Sequence, residues 1–513
     1  MEKSRGTKAF FSASAGIINQ ITRSILSLIV RKIFFAYIGA EILGLNTLFA
    51  SIVSILSLTE LGIGTAIGIS LYRPLAENDY KKVGAYIKLL KKFYNILIIV
   101  IFAGGIFLMP VVVLSVNGDY NMLMVLCSYI LYLLGTASSY LWAYYTTLLC
   151  NDQRGYTVSW VNCACTIVIN IIQIMIIIFL KNYYLYLVTL ILYNIVCNWI
   201  IKQCALWRYP WIESEIQTGE LDNKEKEIVK KTVKDMFTYR IAIYLIQSLD
   251  NIIVSIMLGT AIVAYYGNYC LVANMLMAVV ANIGNATTPG MGNLLYTDKK
   301  QIFSILNKIT FIQQLVFSTT AIAMYVLTND FVAYFFGEEC VQSPVLVLFI
   351  CILYYIQGMI IPLENMRTIT GNYKDKYWQL GVSAFNIIIS VALTKVVGIS
   401  GVVIGTIVCY LIKGCILTPK IVFKTVLGED DKKIYFKNVT ILVVSFIVAL
   451  FFCQFIPQLS KIPFIMRFIA KGLLTMGSVL LVNIAILYKT NIYKESKKYL
   501  MERISNKIRI IRK

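Results

Sequence analysis

The feature that most constrains this chain is a succession of apolar stretches running from one end to the other. They fall at 10–38, 43–72, 93–116, 122–149, 157–180, 183–207, 236–258, 261–296, 309–328, 343–363, 377–396, 398–423, 438–456 and 464–488. A helix needs about 20 apolar residues to cross the hydrocarbon core of a bilayer. In lipid, a helix satisfies its backbone N–H and C=O groups from within its own segment. The expectation is an all-α polytopic membrane protein of about fourteen transmembrane helices. Composition agrees: 58% of the 513 residues are apolar and only 14% are charged, with a mean hydropathy of +0.74. Soluble domains carry about a quarter charged residues.

The net charge of +21 would suit a nucleic-acid binder. Its distribution argues against one, because the cations sit in short segments between apolar runs, as in cytoplasmic loops facing anionic lipid. One set of connections carries Lys81, Lys82, Lys88, Lys91 and Lys92, then Arg154, then the lysines of 224–234. The same set continues with Lys299, Lys300, Lys374, Lys376, Lys432, Lys433 and Lys437. The alternate connections hold mainly Asp119, Lys181, Asp330, Glu338, Glu339, Lys395 and Lys461. The basic set is read as cytoplasmic, which puts both termini in the cytoplasm of a multi-pass protein of the inner membrane. The basic start, Met1 to Lys8, leads into a run too long for a cleaved signal, so the first span is retained. The tail 489–513 is basic and helix-compatible, suited to the anionic inner leaflet.

Histidine is absent, which excludes imidazole metal sites and histidine proton relays. Twelve cysteines lie mostly inside apolar runs and read as small buried hydrophobes; no metal site is expected. No phosphate-binding loop or nucleophile elbow occurs, so no enzymatic role is expected. Any driving force is an ion gradient, the membrane potential or the substrate gradient, with no cofactor beyond sodium or proton coupling. The outward connections are short, about a dozen residues at most. A polymerase or ligase working outside needs a larger external loop. The longest polar connection, 208–235, falls on the cytoplasmic side and reads as an amphipathic surface helix linking two halves.

The halves carry a weak parallel repeat. Tyr37-Ile-Gly-Ala40 joins the first two spans, Met257-Leu-Gly-Thr260 follows the seventh, and Val397-Gly-Ile-Ser400 is a fainter third copy. Transporters place the substrate path between such repeats.

An ionisable side chain at mid-bilayer is costly unless it faces a cavity or a partner. The first span carries Arg23, Arg31 and Lys32. Eight residues separate Arg23 from Arg31, which sets them within about 80° on a helix. Both can face one hydrated cavity, and guanidinium groups suit pyrophosphate through bidentate hydrogen bonds. Snorkelling to headgroups is the competing reading for Arg31 and Lys32. Glu60, in the second span, either pairs with these arginines or exchanges protons. Arg240 lies near the cytoplasmic end of the seventh span and Asp250 lies deeper. Asn386 and Ser390 share a face of the eleventh span, and Thr406 lies on the twelfth. One carboxylate with amide and hydroxyl oxygens suits a hard monovalent cation. Polar helix–helix contact is the alternative. Glu364, Arg367 and Lys413 lie toward cytoplasmic ends and read as interfacial.

The run from Arg31 to Gly44, then Glu60-Leu-Gly-Ile-Gly-Thr-Ala-Ile67 and Leu71-Tyr-Arg-Pro-Leu-Ala76, resembles the polysaccharide repeat-unit flippases of the Wzx-like family. Tyr140-Leu-Trp-Ala-Tyr144, Asn151-Asp-Gln-Arg-Gly-Tyr156, Asp250-Asn-Ile-Ile253, Gly292-Asn-Leu-Leu295 and Lys374-Asp-Lys376 continue the match in order. That family sits in the superfamily of the multidrug exporters and the lipid II flippase. The resemblance implies two pseudo-symmetric lobes around a central cavity. They would be an N-lobe at 1–207 and a C-lobe at 236–424, joined by the linker at 208–235. A two-helix appendage at 425–488 and the tail at 489–513 would follow. It implies an undecaprenyl-pyrophosphate substrate carrying a short oligosaccharide, with the polysaccharide polymerase and chain-length regulator as further partners and no nucleic acid. It sets Arg31 beside a cavity arginine of the lipid II flippase. It matches Asp250, Asn386, Val402 and Thr406 to a sodium site in which Ser390 replaces an expected acid. Arg23, Arg31, Glu60 and Arg240 are then the cavity residues. The rival reading is a multidrug/cation antiporter of the same fold, disfavoured by a cationic cavity.

Overall fold

The computed structural model describes residues 5–56, 63–117, 120–152, 154–223, 225–227, 249–285, 291, 299–370, 372, 375–457, 463–498 and 501. Among the described residues all regular secondary structure is helical. Eleven helices are long and apolar enough to cross a membrane, and each falls on one of the expected spans. The other three spans hold α1 (Arg5–Ile38), the pair α2 (Ala40–Leu56) and α3 (Ile63–Glu77), and a shorter apolar helix, Leu249–Leu258. Large apolar side chains such as Phe107, Phe179 and Val396 are almost fully exposed. On a soluble protein such a surface would drive aggregation; on a bilayer protein it faces lipid.

Three boundaries differ from the sequence expectation. The third span begins at Tyr80, not at 93, and runs to Phe107 as α4, capped by Asp79, whose carboxylate accepts from Lys82 N at 3.1 Å. A 28-residue helix is about 42 Å long, so its lysine-bearing start stands outside a core of about 30 Å. The basic segment therefore extends the helix and is not a loop; the rest of that apolar run forms α5 (Met109–Ser115). The fourth span is broken into α6 (Met122–Ser138) and α7 (Ala143–Asn151) by Trp142, whose φ of 58° is strained for a bulky residue. The Gly135 and Ser139 carbonyls at the break accept from Asn194 and Asn198, each at 2.8 Å. Backbone freed at membrane depth needs such partners. The ninth span belongs to a 38-residue helix, Lys299–Phe336, which takes Asp330 out of the expected outward connection. There it pairs with Lys471 of the last spanning helix at 2.8 Å.

The repeat glycines have a shared physical basis. Gly39, Gly259 and Gly398 all have positive φ, at 103°, 112° and 62°, and each N–H caps the preceding helix. The next helix starts at the following residue in all three cases. A side chain is strained in that conformation, so glycine recurs at these joints.

The chain packs as two compact units, Met1–Ala264 and Tyr265–Lys513. In the first, Leu45, Leu48, Phe49 and Ile52 of α2 pack with Val112 of α5 and Val125, Tyr129 and Leu133 of α6. The described part of the seventh span joins this unit: Asn251 donates to Ser51 at 2.8 Å and Ser255 to the Ser115 carbonyl at 2.5 Å. The start of the 208–235 connection forms α8 here (Ile212–Thr218 in chain position after the sixth span), with Ile212 and Ile216 buried. In the second unit the last two spans dock on earlier helices. Tyr355 of the tenth span stacks on Phe446 at 3.9 Å, while Ser445 donates to Asn483 between the last two spans themselves. The tail begins as a helix over 491–498, with Ile492 and Ser496 buried and Tyr493 packed on Phe311. That helix docks on protein as well as presenting lysines outward.

Candidate functional site

The two first-span arginines occupy different settings inside the first unit. Arg31 is half-buried, about 10 Å short of the C-terminal end of α1, and donates to the Ala264 carbonyl at 3.1 Å. Phe34 and Tyr186, whose rings meet edge to face at 5.0 Å, lie one turn along. Arg23 is exposed and donates to the Tyr193 hydroxyl at 3.3 Å, which in turn meets the Thr166 hydroxyl at 3.3 Å. Tyr193 and Tyr186, two turns apart on the sixth span, thus meet α1 at Arg23 and at Phe34. Lys32 is exposed. Glu60 and Arg240 lie outside the described residues.

The candidate cation residues divide between the units. Asp250 is buried in the first, beside Asn251 and its bond to Ser51. Asn386, Ser390 and Thr406 are buried in the second. Ser390 Oγ donates to Asn386 Oδ1 at 3.2 Å and lies 3.5 Å from the Val402 carbonyl. Gly405 permits this approach: a Cβ there would lie 2.3 Å from Ser390 Oγ. The eleventh and twelfth spans thus gather an amide oxygen, a hydroxyl and a carbonyl at one place.

Two charged clusters form through tertiary packing. In the first unit, Arg154 Nε pairs with Asp152 Oδ2 at 2.9 Å, and the Tyr209 hydroxyl donates to the same oxygen. Burial, then the bond to Asp152 and that carboxylate's charge, push the Tyr209 phenol well above its usual range, so it remains a donor. Burial opposes the Arg154 charge, but Asp152 and nearby phenols more than offset it and raise its pKa. A cavity of about 220 Å³ opens beside this cluster, lined by Asn78, Tyr80, Asp152, Arg208, Tyr209 and Trp211 among others.

In the second unit, Arg367, Glu364 and Lys413 correct the interfacial reading. Arg367 is completely buried and pairs with Asp375 at 3.1 Å and Glu364 at 3.6 Å. Lys413 is buried too and lies 3.5 Å from Glu364. Thr418 donates to Glu364 at 2.7 Å and Gln379 to Asp375 at 2.8 Å. Lys413 opens a π-helical turn, 413–417, in the twelfth span, a feature that often marks functional sites. The Glu364–Arg367 spacing, i to i+3, was the one local sign of this cluster.

No protein-family model matches the sequence, and no curated protein matches it. Solved structures do. The lipid II flippase MurJ in an inward closed conformation aligns with a TM-score of 0.66 at 14% identity, over 94% of this chain and 100% of that one. An inward-facing multidrug resistance MATE transporter of the MOP superfamily aligns at 0.63 and 14% identity, over 81% of this chain and 99% of that one. A MOP superfamily transporter from Pyrococcus furiosus, described as having a binding pocket of reversed polarity, aligns at 0.57 and 12%, over 82% and 96%. At such identities the likeness speaks of fold: this chain is a multi-pass membrane protein with the fold of the MOP superfamily transporters.

Proposed function

We propose that this protein is a flippase that moves undecaprenyl-pyrophosphate-linked oligosaccharide repeat units from the cytoplasmic to the outer leaflet of the inner membrane. It works by alternating access and feeds assembly of a surface polysaccharide such as capsule or O-antigen. The observation that carries this reading is Arg31, a fixed cation at membrane depth whose guanidinium donates to the Ala264 carbonyl. Such a group suits a pyrophosphate entering a hydrated path. The MurJ likeness takes in more of this chain than the multidrug likeness does, which favours the lipid-linked class.

The reading carries further parts. Lobes at 1–207 and 236–424 move against each other, while the helices of 425–488 and the tail of 489–513 stay with the second. Asp250, Asn386, Ser390 and Thr406 bind the coupling sodium or proton. A polysaccharide polymerase and chain-length regulator receive the product. Both termini are cytoplasmic, so reporters fused at Lys513 and after Lys395 report opposite sides. The test is a deletion strain: loss of surface polymer with build-up of lipid-linked repeat units inside, restored by the gene, supports the reading. Unchanged polymer with altered drug susceptibility would favour the multidrug/cation antiporter.

A further inference from the structure

Three connections of the first unit converge on one side: 74–83 between the second and third spans, Asp152 between the fourth and fifth, and 208–211 after the sixth. All belong to the basic, cytoplasmic set. The cavity of about 220 Å³ that they enclose carries polar groups left without protein partners among the described residues. Both donors to Asp152 use Oδ2, which leaves Oδ1 with no protein donor. The side-chain amide of Asn78, the Trp211 indole N–H and the Tyr80 hydroxyl also make no hydrogen bond to a described residue. Asn78 is held at φ 55°, and Tyr80 and Trp211 pack at 4.4 Å with 36° between ring planes. Arg208 adds a cation to the wall.

This mixture selects a ligand class. Asn78, Tyr80 and Arg208 are exposed, and an apolar molecule would strip water from these groups and return no hydrogen bond. A bare anion would suit Arg208 but meet the Asp152 carboxylate. A sugar ring carries hydroxyls that each donate and accept, so it can satisfy a carboxylate oxygen, an amide and an indole N–H together. The charged cluster of the second unit supplies the contrast. There Asp375, Arg367, Glu364 and Lys413 pair with one another in the protein interior. In the first unit Asp152 pairs with Arg154 and also lines the cavity.

We propose that this cavity is a binding site for a neutral pyranose ring on the cytoplasmic face. Resting on the flippase reading, we assign it to capture of a sugar of the lipid-linked substrate before transfer. The test uses the full-length protein in nanodiscs of uncharged lipid. Glucose, galactose and N-acetylglucosamine are presented singly, with inorganic phosphate as the anion probe, and binding is read by saturation-transfer NMR. At least one sugar binds the wild type without competition from phosphate. Asn78→Ala and Trp211→Phe, at unchanged thermal midpoint, each weaken it about tenfold. Binding of phosphate alone, no binding of any of the three sugars, or equal sugar binding by wild type and both variants overturns the proposal. The deletion-strain assay is independent. Polymer restored without sugar binding removes this site and leaves the flippase; sugar binding without restored polymer keeps the site and removes the flippase.

Discussion

The cluster around Asp152 lies where the fourth span turns into the fifth, beside the end of the sixth, and the cluster around Arg367 lies where the tenth span turns into the eleventh, beside the twelfth. They are built in opposite ways. Arg367 has no exposure and its partner Asp375 has 7% side-chain exposure, whereas Arg154 and Asp152 keep 14% and 30%. Burying four ionisable groups costs desolvation that good geometry only partly offsets, and removing one partner leaves the others uncompensated. A partly exposed pair is better screened and more easily replaced. The difference separates a fixed joint between the tenth, eleventh and twelfth spans from an open polar wall able to meet a ligand.

The comparison breaks most readily at Arg367. Arg367→Met leaves Asp375 in the protein interior without its cation, with an expected loss of about 3–5 kcal/mol in unfolding free energy. Arg154→Met is expected to cost about 1–2 kcal/mol. Denaturant unfolding of both variants in detergent measures the gap, and equal losses would erase the distinction. Adding Asp375→Leu to Arg367→Met sharpens it, because removing both partners is expected to recover part of the loss. Tyr209→Phe deletes one donor to Asp152 and is expected to cost about 1 kcal/mol.

The smallest effect is one of pH. The Tyr209 phenol sits above its unfolded value of about 10. Its contribution is therefore complete below pH ~10 and fades as pH rises toward the folded value. The stability difference between wild type and Tyr209→Phe should hold steady up to that point and narrow above it. A difference that grows with alkalinity would contradict the assigned cause.

The spans were legible because each needs only a local run of apolar residues. The helix starts at Tyr80 and Lys299 were not, since lysine is a good helix former and charge alone does not end a helix. The break at Ser139–Trp142 contains neither glycine nor proline; it is held by Asn194 and Asn198, far along the chain. The glycine joints at 39, 259 and 398 were visible as a repeat because a positive φ restricts the residue type. Asn386 and Ser390 were placed on one face from their spacing, and the structure joins them by a hydrogen bond. The Arg367 cluster was read as interfacial because Asp375 and Lys413 reach it only through tertiary packing.

The most direct test of the central claim is transfer of a fluorescent undecaprenyl-pyrophosphate oligosaccharide across proteoliposomes containing wild type, Arg31→Lys or Arg31→Ala. Lysine keeps the charge and loses the planar fork; alanine loses both. The account predicts full transfer by wild type, partial transfer by the lysine variant and none by the alanine variant, at equal reconstitution. Full transfer by Arg31→Ala would contradict it.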